Sequence, residues 1–235
     1  MKSLYDQLDI PKNDKQTSIT REEARFIYNF LTKNNIKKTL EVGFAYGCSA
    51  SYIISATKDK HYVIDPFQNK YSYLGIKNLK KLKLDNPLIF KGDYSHNVLP
   101  RLLKDGVKIN FAFIDGGHKF DDIFIDFYYI DLLLNKNGFV LFHDAWLMST
   151  QHVISWIKNN KENYMILKTP VENLILVQKR GDDDRKWYSF NGFFTYKSYL
   201  SHKSFILNQK DDSKLSKLFT LFLYLLENII NNFKK

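Results

Sequence analysis

The stretch that most constrains this chain is Thr39 to Gly47, TLEVGFAYG, taken together with Asp65. A short apolar run carries an acid, Glu41, close to its end. Two glycines follow, Gly43 and Gly47, spaced G-x-x-x-G, and a helical pattern opens behind them. Eighteen residues later (65 − 47) the run YVID closes on a second acid, Asp65. Strand, glycine turn, helix and acid-terminated strand are the opening of a parallel α/β sheet. Such a sheet leaves a crevice at the carboxyl ends of its strands. Gly43 can take backbone angles closed to other residues, so a ligand can touch the chain there. Gly47 permits close packing where the helix starts.

The spacing also selects among nucleotides. A dinucleotide needs G-x-G-x-x-G, so that its pyrophosphate can sit on the helix N-terminus. Positions 43 to 48 read Gly-Phe-Ala-Tyr-Gly-Cys, and the middle glycine is missing. S-adenosylmethionine (SAM) has no pyrophosphate. It carries a sulfonium and an amino-acid tail, whose ammonium suits the acid Glu41. Asp65 is placed to accept both ribose hydroxyls. An NAD-dependent oxidoreductase is the reading the missing glycine argues against.

The rest of the chain keeps the alternation. Thr20-Arg-Glu-Glu23 is a capping box that predicts a helix through Asn34, with Ala24, Ile27, Tyr28 and Leu31 on one face and the Tyr28 hydroxyl at its rim. Strands are expected near 38–43, 61–65, 87–92, 109–115 and 138–143. Helices are expected near 47–57, 71–83, 96–104, 119–134 and 149–159. Two more strand-like runs, 163–168 and 173–179, flank a turn with Pro170. Repeated βα units predict a Rossmann-like sheet of seven strands, the last antiparallel, with helices on both faces. Domain boundaries follow: residues 1–34 as an N-terminal helical lid, 35–180 as the nucleotide-binding core, and 181–235 as an aromatic loop region with an amphipathic helix. That helix spans 213–233, its apolar positions being Leu215, Leu218, Phe222, Leu225, Leu226, Ile229 and Phe233. Docking on the core or on a partner copy is the plain expectation for it, and a peripheral membrane contact the sharper one.

Composition narrows the partners. The net charge of +10 comes from 30 Lys against only 5 Arg, and the lysines are scattered. Arginine, not lysine, supplies the bidentate forks that read phosphates and base edges. A solvated surface is therefore the expectation, not a nucleic-acid interface. The single cysteine, Cys48, excludes an internal disulfide. A helix start can lower a thiol pKa, but filling the turn is the simpler role for Cys48. No signal core opens the chain and no run is long enough to span a bilayer, so a cytoplasmic setting is expected.

The first five strands each end on an acid or polar group: Glu41, Asp65, Asp93, Asp115, and His143 with Asp144. One acid there is chance, but five in register predict one shared site. The runs EVGFAYGCSA, VIDP, FKGDY and FIDGGHKFDDIFIDFYYIDLLLNKNGFVLFHDAW carry a clear likeness. The chain resembles the class I SAM-dependent methyltransferases over about residues 20–180. The closest branch is that of small-molecule O-methyltransferases, which includes macrolide-sugar, cephalosporin-type and catechol enzymes and methyltransferase domain family 24.

The resemblance implies roles. Glu41, Gly43, Tyr46 and Gly47 would hold the methionine part of SAM, and Asp65 its ribose. Gly92 and Asp93, with Tyr94, would border the adenine, and Asp115 would lie beneath the sulfonium. His118 would be the base for a hydroxyl acceptor, since a near-neutral pKa suits that task. A divalent cation is the alternative activator, held by Asp115, His143 and Asp144. Relatives that use Mg²⁺ carry an acid where this chain has His143, so Mn²⁺, Fe²⁺ or Zn²⁺ would suit this set as well. Without a metal, His118 or His143 would serve as base. Trp146 and the aromatics Trp187, Tyr188, Phe190, Phe193, Phe194 and Tyr196 could wall a substrate pocket or lid. The acceptor is expected to be a small molecule, a sugar among the candidates. A macromolecular acceptor, RNA or protein, and a SAM-fold protein that binds without catalysis are the rivals. A homo-oligomer is compatible with all of these.

Overall fold

The computed structural model describes residues 3–193. The expected helix 213–233 and the aromatics Phe194 and Tyr196 lie outside the described residues.

The alternation of apolar runs builds a seven-stranded sheet. Its strands are β1 (Thr39–Val42), β2 (His61–Ile64), β3 (Leu88–Lys91), β4 (Ile109–Ile114), β5 (Leu134–Phe142), β6 (Tyr164–Leu167) and β7 (Ile175–Lys179). Their order is β3-β2-β1-β4-β5-β7-β6. The first five run parallel, and β7 is antiparallel to both β5 and β6. Strand β4 is apolar nearly throughout and lies at the centre, as a strand covered on both faces must. The chain winds outward from β1 to β3 and then crosses back to β4. The strand order reverses between β1 and β4, and there the crevice opens.

Helices cover both faces. On one side α5 (Ser95–Lys104), α6 (Phe120–Leu133) and α7 (Met148–Asn160) pack on Leu40, Val42, Ala112, Ile114, Val140 and Phe142. On the other, α2 (Arg21–Lys33) and α3 (Cys48–Thr57) pack on Phe111, Phe113, Phe139 and Leu141. Helix α4 (Leu74–Lys81) closes over Phe44 and Val63. The alternate residues of each strand thus feed opposite cores.

Helix α2 forms as its sequence dictates. Thr20 Oγ1 accepts from the Glu23 N–H, and the Glu23 carboxylate accepts from the Thr20 N–H. Ala24, Ile27 and Leu31 are buried, and Tyr28 is at the rim. A short helix α1 (Leu4–Gln7) and a 3-10 turn (Lys12–Thr17) precede it. The latter is tied to the core by Asp14, which accepts from the Tyr46 hydroxyl. Asn78, 1% exposed, binds the segment from below, since its amide spans Asp9 and the Tyr46 carbonyl.

Two elements depart from expectation. Helix α4 starts at Leu74 and not near 71, because Ser72 and Tyr73 are left-handed, at φ 53° and 57°. Strand β5 starts immediately after α6, at Leu134. Its pairing with β4 jumps from Ile109↔Leu134 to Phe111↔Phe139, so the bend through Asn137 (φ 65°) is a bulge in the strand.

Candidate functional site

A cavity of about 650 Å³ lies at the carboxyl edge of the sheet, between the β1 turn and the ends of β2 and β4. The 3-10 turn and Ser18–Ile19 form its outer wall, and Tyr94, Ser95 and His96 its far end. Gly43 sets its floor. The residue has φ +93°, and a Cβ there would stand 2.0 Å from the Asp115 carbonyl oxygen. Only glycine lets the end of β1 lie against the end of β4 so closely. Gly47 is left-handed too, at φ +74°, and begins α3.

Asp65 is the organiser of the turn. Its Oδ2 accepts from the N–H groups of Phe44 (3.2 Å) and Ala45 (2.9 Å), and its Oδ1 from Phe67 (2.6 Å). Gln68 Nε2 also reaches Oδ2, at 3.2 Å. The carboxylate is 4% exposed and lines the cavity. Phe67 and Tyr94 meet edge to face, with centroids 5.9 Å apart, and Tyr94 stacks on His96. They form an aromatic shelf beyond Asp65.

The other expected binding residues part company. Glu41 is fully buried and does not line the cavity; its oxygens are taken by Ser49 and His61. Tyr46 turns away to Asp14, and burial and that carboxylate push its hydroxyl up to about 12. Gly92 and Asp93 also lie outside the lining. Asp93 accepts from Asn97 and from the Tyr94 N–H, and it faces Arg101. It serves the start of α5, and Tyr94 to His96 reach the cavity instead. Cys48 does line the cavity, yet burial pushes its thiol up to about 12, which disfavours the thiolate there.

At the ends of β4 and β5 four groups converge. His143 Nδ1 is 3.0 Å from Asp115 Oδ1, and His118 Nε2 is 3.0 Å from Asp144 Oδ2. His118 is half exposed, whereas His143 is 13% exposed. One donor atom each from Asp115, His118 and Asp144 lies within 4.8 Å of the others, close enough for one cation. His118 supplies the third donor of this set, and His143 Nδ1 also faces it, 3.0 Å from Asp115 Oδ1 and 3.5 Å from Asp144 Oδ1. Burial works against ionising Asp115, but His118 and His143 outweigh it and hold the carboxyl below its usual range. Asp115, then Asp144, holds His118 above the ordinary histidine value. Trp146, 69% exposed, donates from Nε1 to Asp144 Oδ1 at 3.1 Å and forms the open rim.

Glu23 is a member of this cluster that motif reading missed. Its Oε2 caps α2, and its Oε1 lies 3.2 Å from His143 Nε2 and 2.9 Å from Asn173 Nδ2. The capping box signalled the first duty; the second joins residues 120 apart in sequence. Burial disfavours a charged His143, but Asp115 and Glu23 raise it to about 10. Burial likewise disfavours a charged Glu23, but His143, Thr20 and Asn173 lower it to about 2.

The His143 contribution is complete below its unfolded value of 6.5 and is lost as pH rises toward about 10. That of Glu23 is complete above 4.5 and lost as pH falls toward about 2. Glu23→Gln keeps a residue that can still cap, but removes the anion. The melting temperature of the wild type should fall between pH 6 and pH 9 through loss of this pair, and fall less in Glu23→Gln. Equal falls in both proteins would mean the pair contributes nothing.

Of the segment after β7, the described residues 180–193 do not reach the site. Asp183 pairs with Lys161, and Asn191 exchanges hydrogen bonds with Asn160, both at the far end of α7. Trp187, Tyr188 and Phe190 are therefore exposed at the opposite edge of the sheet, away from this cavity. The cause is β7, which runs antiparallel and delivers the chain to that edge. Among the described residues no helix is long and apolar enough to cross a membrane.

Comparison with known proteins agrees with this fold. Residues 40–145 match the family described as "Methyltransferase domain". No curated protein matches the sequence. Among solved structures, the chain is similar to an O-methyltransferase from Bacillus cereus in complex with S-adenosylhomocysteine (SAH). The TM-score is 0.63 at 12% identity, covering 72% of this chain and 85% of that one. It is similar to an SAH-bound methyltransferase, PaMTH1, from Podospora anserina, with TM-score 0.63 and 16% identity, covering 76% and 88%. A third is the SAM-bound O-methyltransferase TomG of Streptomyces achromogenes, involved in tomaymycin synthesis. There the TM-score is 0.60 at 12% identity, covering 74% and 92%.

Proposed function

We propose that this chain, which carries a class I methyltransferase domain at residues 40–145, moves a methyl group from SAM to a hydroxyl oxygen of a small molecule. The observation that carries the reading is the cavity itself. At one strand-order reversal it combines a glycine floor, a buried carboxylate, an aromatic shelf and a histidine–carboxylate pair.

The residues present fit SAM. Gly43 leaves open the room a Cβ would fill, and about 650 Å³ suits a ligand of that size. Asp65 would take the ribose hydroxyls, and Phe67 and Tyr94 the planar base. When bound, SAM supplies a methyl group made electrophilic by the sulfonium. The chain's own part is placement, since donor carbon and acceptor oxygen must meet in line. Asp115 lines the cavity as a carboxylate and favours positive charge nearby. His118 takes the acceptor's proton. A neutral His118 that donates from Nε2 to Asp144 keeps Nδ1 as its basic nitrogen. Trp146 offers an aromatic face to the acceptor at the rim.

A divalent cation is the second way to acidify the acceptor. Asp115, His118 and Asp144 would hold it, and an imidazole among two carboxylates suits Mn²⁺, Fe²⁺ or Zn²⁺ better than Mg²⁺. It would supply positive charge that lowers the hydroxyl pKa. The residues 3–34 would close the cavity from outside as its lid, residues 35–180 being the core.

The test is methyl-labelled SAM incubated with phenols, catechols and sugars, each with EDTA, Mg²⁺ or Mn²⁺. Label in a small hydroxylated acceptor is expected. Label appearing only in added RNA or protein would replace the small-molecule reading with its macromolecular rival.

A further inference from the structure

Behind the wall of the cavity sits an acid without a counterpart. Asp126 lies on the buried face of α6 and is 1% exposed. Neither oxygen of its carboxyl has a hydrogen-bond partner within bonding geometry, although Ser95 stands beside it. Among the described residues no cation faces it. Its charged neighbour is Asp122, an anion one turn back on α6. The other buried acids around the cavity differ in this respect. Glu41 is held by Ser49 and His61, Asp65 by backbone N–H groups, and Glu23 by His143. A buried acid with no partner is a net cost to the fold, and an uncharged side chain of the same shape would avoid it.

Its position gives it a use. Asp126 Oδ2 lies 3.7 Å from the point where a Cβ on Gly116 would stand. Gly116 lines the cavity, as do Ser95 and Asp122, whereas Asp126 does not. Gly116 has no side chain, so at this point the backbone of the turn separates the carboxyl from the ligand space. The turn follows β4. On one side of it is Asp65, with the aromatic shelf beyond; on the other are His118 and Asp144. The reacting sulfur of a nucleoside donor belongs at that junction, between its ribose and the acceptor. Charge there reaches Asp126 through protein and not through water, so it is weakly screened. SAM brings a fixed positive charge to the junction, and SAH brings none.

We propose that Asp126 is a buried counter-charge that makes the cavity hold the cationic donor SAM in preference to its neutral product SAH. It is a positioning residue: it touches no ligand and acts by its field across the Gly116 backbone. The inference rests on the SAM reading above and deepens it. Burial raises the Asp126 carboxyl to about 7, and Asp122 adds to that, so a cation across the turn is enough to tip it into the charged form. Methyl transfer removes that cation. The product is then left beside an acid that gains nothing from it, which favours exchange of SAH for fresh SAM.

The test is calorimetry on the full chain at pH 7.5 with SAM, SAH and sinefungin, an analogue with a protonated amine in place of the methylated sulfur. Asp126→Asn keeps the shape and removes the charge; Asp126→Leu removes the polar group altogether. Each should weaken SAM and sinefungin about five- to tenfold and leave SAH within about twofold. Asp126→Asn should also melt no lower than the wild type. If it does not fold, Asp126→Leu decides, and failure of both to fold would assign the acid to the fold and overturn the proposal. Equal weakening of all three ligands, unchanged SAM affinity, or weakening of SAM without sinefungin also overturns it. A wild type that binds none of the three defeats the SAM reading itself.

Discussion

Gly43→Ala should lower the folding stability by ~3–5 kcal/mol and abolish SAM binding in whatever protein still folds. Two penalties combine. The residue has φ +93°, where a side chain is strained, and the new Cβ would meet the Asp115 carbonyl oxygen at 2.0 Å. That oxygen belongs to backbone, so neither partner can swing aside. Relief would require the ends of β1 and β4 to part, which opens the cavity floor. A loss of this size is a large share of the ~5–15 kcal/mol that holds a typical domain together. Gly106→Ala is the control: its φ is +69° but nothing lies within 4 Å of the added Cβ. It should cost only the conformational strain, ~1 kcal/mol. Urea midpoints of the two variants measure the difference. Equal losses would mean that the contact of β1 with β4 is looser than the geometry states.

His118→Ala should reduce kcat by ~10²–10⁴-fold, the usual worth of a positioned general base, while SAH affinity stays within about threefold. The separation is expected because the loop does not depend on the ring. Ser149 Oγ donates to the His118 backbone carbonyl at 2.7 Å, a bond that survives truncation. The side chain is half exposed, so its removal leaves no large void. The wild-type rate should also fall on the acid side. The neighbouring Asp115 and Asp144 raise the His118 pKa above the ordinary value of 6.5, so the base is lost to protonation from above that pH downward. A variant that retains turnover within tenfold of wild type would remove His118 from proton transfer. The cation held at Asp115 and Asp144 would then be the activator, and a chelator should stop it.

Much of the architecture was legible because it is written locally. The capping box fixed the start of α2, and the apolar runs fixed all seven strands. The turn 43–47 announced the crevice. Acids at successive strand ends pointed to one edge of the sheet, and Asp65, Asp115 and Asp144 do gather around one cavity and its rim. What resisted reading depends on where side chains turn. Asp93 sits at its strand end as expected, yet Asn97 and Arg101 claim it for α5. Glu41 points into the sheet because alternate residues of β1 face opposite cores. His61 opens a strand without any motif, so no spacing marks it as a partner of Glu41. Glu23 looked like a cap and nothing more, since its contact with His143 spans most of the chain. Of the aromatic segment expected to supply a lid, residues 181–193 are carried to the other edge by an antiparallel last strand.

The most direct test of the account is a calorimetric titration of SAH into the wild-type chain and into Asp65→Ala. Asp65 ties the glycine turn through the backbone N–H groups of Phe44 and Ala45, accepts a third from Phe67, and is the proposed ribose acceptor. Micromolar binding by the wild type, weakened by about 100-fold or more in Asp65→Ala, is the predicted result, since hydrogen bonds to a charged group are worth ~1.5–3 kcal/mol each. Absence of binding by the wild type, or equal affinity in the two proteins, would contradict the assignment of this cavity to SAM.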